Sequence, residues 1–169
     1  MITKNDLLEW LKEIDRKIKT KMVLVAVSGT ALTLLGLKPS TLDVDFCIDG
    51  NQEALFKKSM GKPAFKVDIF RDGFIFAEQL PSDYLEKSIS IKTNLARIDL
   101  RALSLVDIIL TKIARYNERD EDDISAIVAK NKVNKEELER RFKLVRDSYA
   151  GNVKDYDYYF RLVLKRHFK

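Results

Sequence analysis

The chain has 169 residues, with 31 Lys and Arg against 26 Asp and Glu, a net charge of +5. Hydrophobic residues make up 46% and charged residues 34%, which supports one cored domain, or one domain with a small appendage, and gives no sign of disorder. Lys and Arg are interleaved with Asp and Glu, so the positive excess favours anionic partners such as nucleotides or RNA without forming a nucleic-acid tail.

Taken in order, Thr3 and Asp6 have capping-box spacing ahead of Leu7, Leu8, Leu11 and Ile14. This predicts a helix from about Lys4 to Thr20. The uninterrupted apolar run Met22 to Val27 predicts a strand buried on both faces. Ser28-Gly29 ends it, and Thr30 to Leu37 reads as a helix with Gly36 near its end. After the loop around Pro39 come a strand from Asp43 to Ile48, a turn at Asp49-Gly50-Asn51 and a helix from Gln52 to Met60. Strands are expected at Phe65–Phe70 and Phe74–Ala77, then a short helix opened by Pro81-Ser82. A peripheral hairpin is expected from Ile89–Lys92 and Ala96–Leu100. Beyond Ser104 the pattern is helical, with stripes around Ile108, Ile124, Phe142 and Phe160. These elements predict an α+β fold, a mixed β-sheet flanked by helices, with a C-terminal helical appendage. The expected division is 1–102 for the core and 103–169 for a helical subdomain packed on it.

The N-terminus does not read as a signal peptide, and the apolar runs are too short to span a bilayer. The one cysteine, Cys47, excludes an intramolecular disulfide. The expected location is therefore cytoplasmic, with no membrane partner.

Chemistry concentrates in three places. In Thr41-Leu42-Asp43-Val44-Asp45-Phe46, strand alternation sends Asp43 and Asp45 to one side and Val44 and Phe46 to the other. Paired carboxylates on an apolar strand repel and resist burial, and a hard cation such as Mg²⁺ (or Mn²⁺) relieves both costs. Asp68, in Phe65-Lys66-Val67-Asp68-Ile69-Phe70, takes the face opposite Val67 and Ile69. If its strand pairs beside the first, three acids converge as metal ligands and as the catalytic set, with the chemistry of in-line attack on phosphorus. Upstream, Ser28-Gly29-Thr30 lies where a buried strand turns into a helix, a place suited to phosphates. The bland alternatives are an exposed acidic sheet face and an ordinary turn.

With these residues in place, the chain resembles the DNA polymerase β-like nucleotidyltransferase superfamily, and most the branch that includes AbiEii-type toxin nucleotidyltransferases. The matching residues are Ser28-Gly29, Thr41-x-Asp43-x-Asp45 and Asp68, with Val27 to Leu32, Gly36 and Thr41 adding similarity. A second block, Leu103 to Lys112 running into Arg119-Asp120-Glu121-Asp122-Asp123-Ile124, is similar to the same branch. The resemblance covers roughly Val23 to Ile127. It implies transfer of a nucleoside monophosphate from an NTP to a hydroxyl acceptor. It also implies phosphate contacts from Ser28, Gly29, Thr30, Thr41 and Lys112, with Asp120 and Asp123 in support. RNA, tRNA in particular, is the implied acceptor class, in a toxin–antitoxin setting with a protein antitoxin as partner. Against a role for the second block stands its plain reading as a helix start favoured by the macrodipole, with Lys112 solvated. Ser28 departs from the first glycine of the superfamily's turn, and Ala31 and Leu32 stand where small antitoxin-type members carry Arg. A catalytically inactive nucleotide- or partner-binding module is the alternative. A third reading is a non-enzymatic RNA-binding surface from Arg140, Arg141, Lys143 and Arg146 beside Tyr149.

Overall fold

Apolar runs and capping residues set the element order, which a computed structural model describes for all residues 1–169. The chain runs β1 (Ile2–Thr3), α1 (Lys4–Lys17), β2 (Met22–Ala26), α2 (Ser28–Leu34), β3 (Ser40–Thr41), β4 (Val44–Ile48) and α3 (Glu53–Met60). It continues through β5 (Val67–Arg71), β6 (Phe74–Ile75), β7 (Glu78–Gln79), α4 (Tyr84–Lys87), β8 (Ile89–Ser90) and β9 (Ile98–Ala102). Four helices close it: α5 (Leu105–Ile113), α6 (Glu118–Lys130), α7 (Lys135–Arg146) and α8 (Val153–His167). The architecture is α+β with a mixed sheet and flanking helices, the class the sequence implies.

Two compact units divide these elements: Met1–Asp72 with Leu85–Leu103, and Gly73–Tyr84 with Ser104–Lys169. In the first, the sheet order is β5-β4-β2-β9-β8. β4 lies antiparallel to β2 and parallel to β5, while β9 lies parallel to β2. The sequence reading put β9 in a peripheral hairpin. It does pair with β8, Ile89 opposite Ala102. Its other edge, however, takes the inner position beside β2, because Ile98, Leu100 and Ala102 are buried and need a neighbour on that side. Asp15 of α1 fixes the entry to β9, since its carboxylate accepts the backbone N–H groups of Ala96, Arg97 and Ile98 at 2.9, 2.7 and 2.9 Å. Burial opposes the Asp15 charge, but the three bonds outweigh it and hold the acid below its ordinary range.

The capping box of α1 forms as its spacing predicts, with Thr3 and Asp6 bonded reciprocally. The helix ends at Lys17 rather than Thr20, because Ile18 turns extended and closes the last turn onto Ile14. Leu7, Leu11 and Ile14 are buried. Trp10 packs on Phe46, Phe56 and Phe65 with centroid separations of 6.4, 6.2 and 5.1 Å. Cys47 is a fully buried core residue.

The second unit combines α5–α8 with the β6–β7 hairpin. The Ala150 N–H donates to the Ala77 carbonyl at 3.0 Å, and the Arg115 guanidinium stands 4.2 Å over the Phe76 ring. Arg141 is fully buried. Its guanidinium grips Asp107 through two bonds, 2.8 and 2.7 Å, and reaches Asp83 at 2.7 Å. Arg146 makes a two-pronged pair with Asp157 at 2.6 and 2.8 Å. The basic cluster read from the sequence thus loses Arg141 to the core and Arg146 to an ion pair. Only Arg140 and Lys143 remain as exposed members. Tyr156 is buried between Tyr149 and Phe142, and Tyr159 stacks on Tyr116, so two of the three tyrosines in that stretch pack within the unit. His167 pairs with Glu121 at 2.8 Å. No helix is long and apolar enough to cross a membrane.

Candidate active site

Strands β4 and β5 of the first unit bring two of the three sequence-predicted acids, Asp45 and Asp68, side by side. Asp45 on β4 is the register partner of Asp68 on β5, in a parallel pair that also aligns Val44 with Val67 and Phe46 with Ile69. Register partners point to the same face, so both carboxylates leave the sheet on the same side. Asp43 lies two residues upstream, exposed, in the bend that leads into β4. Asp45 is buried, while the Asp68 side chain is 39% exposed.

Two threonines hold the acid segment. The Thr30 hydroxyl accepts the Asp45 N–H at 2.9 Å and donates to the Asp43 carbonyl at 3.3 Å. The Thr41 hydroxyl donates to that same carbonyl at 2.9 Å. Both hydroxyls, read from the sequence as phosphate contacts, are therefore engaged with the backbone of the acid strand. Strand β3 is itself clipped to the N-terminus, Ile2 opposite Thr41 and Thr3 opposite Ser40.

The turn ahead of the acids is tight. A Cβ on Gly29 would come within 2.8 Å of Thr41 Oγ1, so only glycine lets α2 approach β3 this closely. Ser28 has φ +52°, the left-handed conformation that glycine adopts without cost. The position where the sequence departs from the superfamily's glycine thus keeps a glycine-like backbone. Val27, at the N-cap, gives α2 no side-chain cap.

Lys66 stands beside the acids, a residue that the motif alone does not mark. Its ammonium lies 2.6 Å from Asp68 Oδ2, and its carbonyl accepts the Val44 N–H at 2.9 Å. The hydrogen bond to Asp68, followed by the charges of Asp68, Asp43 and Asp45, raises its pKa above the ordinary lysine value. The signal was available, because Lys66 stands two residues before Asp68 and so shares its face. Hard carboxylate donors with a cation already drawn among them have the chemistry that suits a hard divalent ion. No three His, Cys, Asp or Glu side chains are grouped to hold one as they stand.

Lys112, Asp120 and Asp123 belong to the second unit, where they meet as a closed set. The Lys112 ammonium is 2% exposed and lies 3.2 Å from Asp120 and 2.6 Å from Asp123. Asp120 also completes a capping box with Asn117 at the start of α6 and receives Arg115 at 3.3 Å. Lys112 is thus not solvated; two carboxylates satisfy it in the interior.

Comparison with curated proteins and with solved structures gives no match. The sequence pattern of one family matches residues 5–167, nearly the whole chain, so with its α+β fold and its acid-bearing parallel strands the chain belongs to the family described as nucleotidyltransferase of unknown function (DUF6036).

Proposed function

We propose that the protein is a metal-dependent nucleotidyltransferase that moves a nucleoside monophosphate from an NTP to a hydroxyl acceptor. The observation that carries this reading is the parallel register of Asp45 with Asp68, with Asp43 two residues upstream. Family membership supports the reaction class.

Asp43, Asp45 and Asp68 are the residues that would hold Mg²⁺ or Mn²⁺. When bound, the ion supplies charge neutralisation on the triphosphate and acidifies the acceptor hydroxyl. Asp68, the more exposed of the two register partners, takes the hydroxyl proton. The acceptor oxygen bonds to the α-phosphorus, the α–β bridging bond breaks, and pyrophosphate leaves. The first-turn amides at Ser28, Gly29 and Thr30, in a helix whose N-cap Val27 supplies no side-chain cap, favour the phosphates, while Thr30 and Thr41 position the acid strand. An RNA 3′ end, tRNA included, is the acceptor class in this reading, with a neutralising antitoxin as protein partner.

The test is divalent-ion-dependent labelling of RNA with each of the four α-labelled NTPs, comparing wild type with the Asp43→Asn/Asp45→Asn variant. Label that requires the acids supports the enzyme. A specific observation favours the rival, an inactive binding module: no three carboxylates are grouped for an ion. Nucleotide binding without transfer in this assay would establish that rival.

A further inference from the structure

Two carboxylates, Asp45 and Asp68, leave the paired strands on one side, with Asp43 in the bend just upstream, and something must offset their repulsion before any ion arrives. Lys66 is placed to do so. Its backbone is fixed by the Val44 N–H bond at 2.9 Å, directly beside the acid segment. Its side chain is not tied down by burial: 64% of it is exposed, and its contact with Asp68 is a single 2.6 Å ion pair. Such a pair is weak and exchangeable, unlike the closed Lys112 set.

We propose that Lys66 is a built-in counter-cation of the acid site, which occupies Asp68 in the metal-free protein and must be displaced for a divalent ion to bind. This inference rests on the metal reading of Asp43, Asp45 and Asp68. The ammonium and the ion would compete for the Asp68 carboxylate, so Lys66 sets how much divalent ion the protein needs. It also keeps the carboxylates aligned when no ion is present. On exchange, the ammonium leaves Asp68 still protonated and charged. No bond is made or broken in the exchange except the ion pair itself.

The competition can be read without turnover. Mn²⁺ alone is titrated into chelator-treated protein, and the free ion is followed by electron paramagnetic resonance. Lys66→Met is expected to bind Mn²⁺ about three- to ten-fold more tightly than wild type, because it removes both a competitor and a nearby positive charge. Lys66→Arg keeps the cation and is expected to stay within about two-fold of wild type. Lys12→Met, which removes the same charge from the exposed face of α1, controls for net charge and is expected to leave the affinity unchanged. Equal or weaker Mn²⁺ binding by Lys66→Met, with wild type binding through Asp45, would overturn the inference and leave the metal reading standing. Wild-type binding that is absent, or unaffected by Asp45→Asn, would overturn the metal reading and this inference with it. Circular dichroism of each variant confirms that the exposed substitution has not unfolded the chain.

Discussion

Asp45 of β4 stands directly opposite Asp68 of β5, two acids in register on parallel strands. Neighbouring carboxylates in that arrangement destabilise the fold, and Lys66 offsets only part of the repulsion because its pair with Asp68 is exposed. Keeping such an arrangement costs stability. Asp45→Asn is therefore expected to raise the unfolding free energy, or leave it unchanged, by at most about 1 kcal/mol. The same substitution is expected to cut nucleotide transfer by about 100-fold or more. Urea melts in chelator, beside the labelling assay, measure both. A destabilised Asp45→Asn variant would mean that the carboxylate is structural.

Thr30 has a different expected signature. Its hydroxyl satisfies the buried Asp45 N–H and reaches the Asp43 carbonyl. Thr30→Val keeps the shape and removes both bonds, leaving a buried donor unpaired. The expected loss is about 1–3 kcal/mol by chemical denaturation. Activity should fall with it even at temperatures where the variant is fully folded, because the acid strand loses its anchor. Thr30→Ser restores the hydroxyl and should recover most of both.

Much of this arrangement is legible in the sequence, and particular residues show where legibility stops. Alternation is a local property, so the opposite orientation of Val67 and Asp68 follows from spacing alone, whereas the strand expected from Asp43 begins only at Val44 and leaves Asp43 in the bend before it. Continuous burial marks β2, and the caps at Thr3, Ser104 and Asn134 announce their helices. Register is not local: nothing in the strand around Asp68 says that it aligns with Asp45 rather than slipping by two. The two-residue strands β1 and β3 carry too little pattern to be read. Charge alone marks Arg141 as a surface residue. Yet Leu138, Arg141, Phe142 and Val145 follow the i, i+3, i+4, i+7 pattern of a buried helix face, and that position decided its fate. Lys112 sits likewise on the buried stripe of Ile108 and Ile109.

Ser28 tests the departure from glycine directly. Its left-handed backbone costs a serine about 1 kcal/mol relative to glycine. Ser28→Gly is expected to be neutral to stabilising by up to about 1 kcal/mol, the relief of strain being partly offset by the added freedom of the unfolded chain. Ser28→Val, β-branched at a positive φ, is expected to lose about 1–3 kcal/mol. Thermal melts of the pair in one buffer give the comparison.

Glu78 on β7 carries a pH dependence whose sign can be worked out. Its carboxyl is fully buried beside the Tyr156 hydroxyl, and neither group makes a well-aligned hydrogen bond. Burial first, and then the charge of Asp107, push its pKa well above the ordinary 4.5, against the lowering influence of Tyr156 and Arg115. The folded chain therefore keeps a proton that the unfolded chain releases near 4.5. Stability from this group is fully present below that pH and is lost as pH rises towards the raised folded value. Glu78→Gln has no proton to hold. Its stability relative to wild type should grow between about pH 5 and about pH 8, and urea melts at the two pH values read the change. A constant difference would show that Glu78 does not titrate within the fold.

Arg141 and Asp107 form the most deeply buried ion pair of the helical unit, both side chains being inaccessible to solvent. Removing one partner leaves the other charge buried and uncompensated. Arg141→Met is expected to cost about 3–5 kcal/mol, a large share of the roughly 5–15 kcal/mol that stabilises a typical domain. The charge of Asp107, not the lost packing, is the expected source of that cost. Arg141→Met combined with Asp107→Leu should then recover most of the loss, since an apolar pair of similar volume replaces an ion pair at little net cost. Asp83, the partially exposed third member, can turn to water and should need no compensation, so Asp83→Asn alone is expected to lose less than about 1 kcal/mol. Denaturant unfolding of wild type and the three variants makes the comparison. A double variant no more stable than Arg141→Met would place the cost in the cavity left by the arginine stem.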